Sequence, residues 1–242
     1  MKRVQLEAVG WAGGGAALVG LVLVVAGLAA QWQAEKLPAT GWLAALGYLV
    51  VSNALLVGGL RRRRSERFGP ANAVTSVRST IVGLITGLVV ASWSADIPVP
   101  LLIGLAVPAL ALDAVDGWVA RRTGSTSELG ARFDMEVDAF LLLVLSVYVA
   151  PLLGAWVLAI GLLRYAFVAA AWLLPWMGRT LPYRYWRKVV TACAGIALTF
   201  AATGLAPALA AVLVAAALAL LLESFARDTV WLVLRRRDPD RE

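Results

Sequence analysis

Apolar runs long enough to cross a bilayer recur eight times along this 242-residue chain. They fall at about 9–31, 39–60, 71–93, 99–116, 135–151, 154–177, 188–204 and 206–226. A hydrocarbon layer of about 30 Å needs about 20 apolar helical residues to span it. Backbone N–H and C=O groups find no water there, so each run has to form a helix that satisfies its own hydrogen bonds. The predicted fold is therefore all-α, a polytopic transmembrane helical bundle. The alternative is a soluble all-α protein with an unusually apolar core, and composition argues against it. With 61% hydrophobic residues and a mean hydropathy of +0.80, a domain of this size has more apolar surface than it could hide. Helix breakers stand at the junctions: Leu37-Pro38, Gly69-Pro70, Pro98 and Pro100, Pro151 with Gly154, and Gly204 with Pro207.

Lys2 and Arg3 precede the first run as they would in a signal peptide. That run is long enough to span and lacks a clear cleavage site, so it reads as an uncleaved membrane helix. The net charge of +7 does not point to nucleic acid, because the basic residues sit in short segments between apolar runs. With both termini in the cytoplasm, Lys2, Arg3, Arg61 to Arg64, Arg67, Arg121, Arg122, Arg132, Arg179, Arg184, Arg187, Lys188 and the tail "RRRDPDRE" all lie inside. Among loop residues only Lys36 falls outside. This asymmetry predicts a multi-pass protein of the cell membrane with cytoplasmic termini. Trp32, Trp42, Trp93 and Trp156 then mark the outer interface. Trp11, Trp118, Trp176 and Trp186 mark the inner one, an aromatic belt that calls for no cofactor. "RRRRSERFG", Arg61 to Gly69, reads either as an interfacial segment on anionic lipid or as a plain positive-inside anchor.

The chain has no histidine, which excludes His-based phosphatases, His-ligated metals and Ser-His-Asp chemistry. Cys193 is the sole cysteine, so no disulfide forms within the chain.

Against this background four aspartates are unexpected. Asp113 and Asp116 are spaced i, i+3 at the cytoplasmic end of the fourth run. Asp134 and Asp138 are spaced i, i+4 at the start of the fifth. Each pair lies on one helix face, and a short cytoplasmic loop joins the two helices. Four carboxylates converging near lipid repel one another and are costly to bury. Two divalent cations would neutralise them, and all-oxygen ligation suits Mg²⁺ or Mn²⁺ rather than zinc. Paired hard cations serve phosphoryl chemistry. The plainer reading is four solvated carboxylates that cap helices, with Asp134 as an N-cap. The neighbours favour the site. Gly117 lets a backbone approach a ligand, Ala120 is small and one turn past Asp116, Arg121 offers a planar fork to a pyrophosphate, and Gly130 stands one turn before Asp134.

The pattern Asp113-x2-Asp116-Gly117-x2-Ala120-Arg121-x8-Gly130-x3-Asp134-x3-Asp138 resembles the complete signature of the CDP-alcohol phosphotransferase family, with every spacing matched. "GPANAVTSVRS", Gly69 to Ser79, is similar to the opening of that family's first core helix, with Pro70, Asn72, Thr75 and Arg78 at matching positions. "RKVVTACAG", Arg187 to Gly195, resembles the Lys-x-x-Thr of bacterial phosphatidylglycerophosphate synthases, although Ala194 replaces a usual Gln. The resemblance implies a six-helix core over residues 61–226, two extra N-terminal spans within 1–60, and a basic cytoplasmic tail at 227–242.

It also implies a reaction: transfer of a substituted phosphate from CDP-diacylglycerol or a related CDP-alcohol to a small acceptor alcohol, with release of CMP, at the cytoplasmic side. Asp113, Asp116, Asp134 and Asp138 would bind two Mg²⁺ or Mn²⁺ ions, and Asp138 would also act as general base. Gly117, Ala120, Arg121, Gly130, Asn72 and Thr75 would shape the CDP site. A homodimer is expected from the family.

Two arginines fall inside apolar runs. Arg78 either snorkels to the inner interface or pairs with the aspartates. Arg164 lies deeper and, with Arg132, Arg184 and Lys188, is expected to line a pocket for an anionic acceptor, such as glycerol 3-phosphate or an inositol phosphate. A divalent-cation transporter would also want intramembrane acids, but nearer mid-membrane and on broken helices. A scaffold that had lost the activity should have lost an aspartate, and all four are present.

Overall fold

The computed structural model describes residues 37–62, 70–123, 128–178 and 185–237. Among these are seven α-helices and no strand, as a helical membrane bundle requires. They are α1 (Ala39–Arg62), α2 (Pro70–Ala91), α3 (Val99–Thr123), α4 (Glu128–Leu153), α5 (Leu158–Leu173), α6 (Tyr185–Ala202) and α7 (Pro207–Arg237). The apolar run expected at 9–31 lies outside the described residues. By length and hydropathy, four described segments can cross a membrane: 39–56, 130–153, 155–173 and 207–235. Thr75–Ala91 and Val99–Asp113 are shorter apolar helices. The chain divides into two compact units, residues 1–138 and 139–242.

In the first unit α2 is the central helix. Ile81, Val82, Ile85, Leu88, Val89 and Ala91 are buried, and so are Thr75, Arg78, Ser79 and Thr80, and no residue from Thr75 to Ala91 is fully exposed. The flanking helix α1 sets small residues inward at its start and leaves large ones outside. Gly41, Ala45 and Ser52 are buried, whereas Leu43, Leu46, Val50 and Leu55 are exposed. Lipid solvates leucine as well as a protein core does, so a membrane helix gains more from close backbone approach than from burying large side chains. Here the approach is close. A Cβ on Gly41 would stand 2.7 Å from the Gly87 carbonyl oxygen, and one on Gly87 would stand 2.8 Å from that of Gly41.

In the second unit, the last turns of α4 meet α5 at another glycine. A Cβ on Gly161 would lie 2.4 Å from Leu143 Cα, a separation no side chain tolerates. The expected span 154–177 is interrupted at both ends. Gly154 adopts φ 109°, which ends α4 and leads into a 3₁₀ turn, Ala155–Val157. Leu174 is extended because Pro175 follows it, and a second 3₁₀ turn covers Pro175–Gly178. Trp156 closes the first break by donating its indole N–H to the Leu153 carbonyl. At the other end of the unit α7 runs to Arg237, well past the expected limit at 226. Its 31 residues span about 46 Å at about 1.5 Å per residue, more than the hydrocarbon layer needs. The polar end begins at Glu223, which pairs with Arg227 one turn on.

Candidate active site

The site grows out of three helices of the first unit. Asp113 comes from α3, Asp134 and Asp138 from successive turns of α4, and Arg78 from the central helix α2. Arg78 is fully buried and holds all three acids. Its Nη1 donates to Asp113 Oδ1 at 2.9 Å. Its Nη2 donates to Asp134 Oδ1 at 2.5 Å and to the Asp134 carbonyl at 3.2 Å, and lies 3.2 Å from Asp138 Oδ1. Of the two readings open for Arg78, the structure decides for pairing. One carboxylate oxygen from each of Asp113, Asp134 and Asp138 falls within 4.8 Å of the others. Their side chains are 15%, 25% and 22% exposed, so the cluster opens to one side while its arginine is sealed beneath it.

The reading of Asp134 as an N-cap is corrected. Helix α4 begins at Glu128, so Asp134 is already in its second turn, with its backbone committed to the helix. Asp113 is not at a helix end either, since α3 continues to Thr123. Continuous helices on both sides hold the carboxylates at fixed spacing, whereas a loop would let them spread apart.

The structure brings together Asp113, Asp134 and Asp138, adds Arg78, and buries Thr75 three residues before that arginine on α2. Gly130 is half-buried one turn before Asp134. Asp116, Gly117, Ala120 and Arg121 lie on α3 and Asn72 on α2, but their side chains fall outside the described set. Arg132 is exposed on α4. Arg164 on α5 and Lys188 on α6 are half-buried members of the second unit, and Arg184 lies outside the described residues. Sequence reasoning passed over Asp228, which is buried on α7 with its Oδ2 3.6 Å from Arg187 Nε. Its sequence signal was an acid within an apolar helical run. Tyr48, Ser52 and Ser79 were missed for want of any signal beyond scattered hydroxyls in apolar segments.

The donor set fits a hard divalent cation. All three ligand atoms are carboxylate oxygens. Among the described residues, Arg78 sets one formal positive charge against three carboxylates. An arginine sealed under three acids also makes a strong stability prediction. Arg78→Met removes the guanidinium that bridges these carboxylates. It is expected to cost about 3–5 kcal/mol, the usual penalty for breaking a buried ion pair from one side. Thermal unfolding in detergent measures this, and an unchanged midpoint would show that the acids do not depend on Arg78.

A half-buried acid cluster that could hold a metal ion, mounted on the helices of an apolar bundle, defines a helical membrane protein. The CDP-alcohol phosphatidyltransferase family model matches residues 68–223, more than half of the chain, and the chain belongs to that family. Comparison with curated proteins and with solved structures gives no match. The matched segment runs from the residues just before α2 into α7 and contains every aspartate of the cluster. It leaves α1 outside.

Proposed function

We propose that this chain transfers a phosphatidyl group from CDP-diacylglycerol, or a related CDP-alcohol, to the hydroxyl of an acceptor in phospholipid biosynthesis, releasing CMP. The observation that carries this reading is the convergence of Asp113, Asp134 and Asp138 within 4.8 Å, in a chain of this family. With Asp116 they would hold two divalent cations, Mg²⁺ or Mn²⁺. When bound, such cations polarise the donor phosphate and stabilise the departing oxygen.

The residues of the chain do the rest. Asp138 takes the proton from the acceptor hydroxyl. The acceptor oxygen attacks the β-phosphorus of the donor, a new P–O bond forms, and the bond to the bridging oxygen breaks so that CMP leaves with that oxygen. Gly117, Ala120, Arg121, Gly130, Asn72 and Thr75 shape the cytidine diphosphate site. Arg78 keeps the acids in register. The site faces the cytoplasm and the protein works as a homodimer in the cell membrane. Residues 61–226 form the catalytic core.

The acceptor carries a phosphate, as glycerol 3-phosphate or an inositol phosphate does. Support comes from the sequence, which places Arg132, Arg164, Arg184 and Lys188 in or beside the apolar runs that follow the acids. Guanidinium and ammonium groups suit a phosphate better than a neutral alcohol. The test is to incubate purified protein with labelled CDP-diacylglycerol, Mg²⁺ or Mn²⁺ and a panel of alcohols, and to identify the lipid product by mass spectrometry. A phosphorylated headgroup is expected, and Arg164→Ala and Lys188→Ala should raise the acceptor KM far more than the donor KM. A preference for serine or unphosphorylated inositol, unchanged in both variants, would remove the phosphate pocket. No CMP release with any alcohol would remove the transferase reading.

A further inference from the structure

Helix α1 lies outside the segment that matches the family, yet it is tied to the helix that carries Arg78 by more than apolar packing. The Tyr48 hydroxyl is 3.2 Å from Ser79 Oγ, and Ser79 donates to Ser52 Oγ at 3.4 Å. Ser79 and Ser52 are both buried. Further along α2, Gly83 sits against the same tyrosine: a Cβ there would stand 3.1 Å from Tyr48 Cδ1 and 3.2 Å from Leu49 Cδ2. Further still comes the contact of Gly87 with the Gly41 backbone. Ser79, Gly83 and Gly87 recur every four residues, so they form one stripe along α2, and α1 runs antiparallel along it.

Arg78 immediately precedes Ser79, about 100° around the helix. One side of α2 therefore faces the acids while an adjacent side is keyed to α1. Any rotation or slide of α2 that carried the guanidinium away from Asp113, Asp134 and Asp138 would have to break this seam. Its glycine end resists sliding through backbone contact. Its hydroxyl end, level with Arg78, resists rotation through directional hydrogen bonds for which lipid offers no replacement.

We propose that α1 is a positioning element of the acidic site. Tyr48, through Ser79 and Ser52, sets the rotation and depth of α2 and so the place of Arg78 among the three carboxylates. This rests on the reading that those carboxylates hold divalent metal. Tyr48 is a positioning residue, since its hydroxyl acts on the site through Ser79, the neighbour of Arg78.

The test is Tyr48→Phe in the full chain, which keeps the ring against Gly83 and removes only the hydroxyl. Ser79→Ala, which removes the shared partner, is the second variant. Mn²⁺ binding is titrated by electron paramagnetic resonance and compared with the metal dependence of turnover. Both variants are expected to bind Mn²⁺ about tenfold more weakly, the low end of what supporting residues behind metal ligands contribute. Turnover at saturating metal should stay within a few-fold of the unaltered chain. A variant that unfolds at a lower temperature but binds Mn²⁺ with unchanged affinity would overturn the inference and leave α1 as packing alone. If the unaltered chain bound no Mn²⁺, the metal reading would fall and this inference with it. If it binds and both variants match it, only the inference falls.

Discussion

Asp138→Asn is expected to lower CMP release by about 10²-fold or more while leaving most donor binding intact. A positioned general base contributes about 10²–10⁴ to a rate, and asparagine keeps the shape but takes no proton. Asp138 is also the acid held least closely by Arg78, at 3.2 Å, against 2.9 Å for Asp113 and 2.5 Å for Asp134. Asp113→Asn is the comparison, because Asp113 has a direct bond to Nη1 and lies on the helix that carries the Gly117 and Arg121 end of the signature. Binding of a CDP-lipid analogue should fall further in Asp113→Asn than in Asp138→Asn. Equal loss in both would make Asp138 chiefly a ligand and move the base elsewhere.

Chelation should abolish CMP release altogether, and Mg²⁺ or Mn²⁺ should restore it. Arg78 offsets one of the three converging negative charges. Negative charge left on the cluster, with that of Asp116 on the same helix as Asp113, would repel the pyrophosphate of any donor that approached. Divalent cations reverse that sign and turn a repelling surface into an attracting one. Full turnover in excess EDTA would overturn the two-metal reading. The same measurement with Ca²⁺ in place of Mg²⁺ probes how tightly the ligands are held, because the larger ion tolerates irregular geometry and the smaller one demands near-octahedral oxygens.

These two predictions begin from residues that were legible in the chain alone, and the reason is physical. A run of apolar residues forces a helix in lipid whatever surrounds it, because the backbone has no other way to satisfy itself. The pairing of Asp134 with Asp138 is legible for a similar reason: once a helix is granted, residues four apart share a face. Composition, apolar periodicity and local spacing therefore determined the all-α membrane class, the acid pairs and their likeness to one family. Local reasoning failed where a helix end depended on a single backbone torsion or on a boundary several residues away. Gly154 and Pro175 cut the expected sixth span, and the start of α4 at Glu128 turned a supposed cap, Asp134, into a mid-helix side chain.

Only the tertiary structure decided which charges meet. Arg78 is 35 residues from Asp113 and 56 from Asp134 along the chain, and no spacing rule connects them. Sequence left open whether that arginine reached for the interface or for the acids. Packing closed the question by burying Arg78 completely and setting its guanidinium against the carboxylates of α3 and α4. The bond between Tyr48 and Ser79, across 31 residues, is of the same kind. A hydroxyl in an apolar helix announces a need for a partner, but which partner it finds is set by how two helices cross, and here that crossing rests on the bare backbones of Gly41 and Gly87.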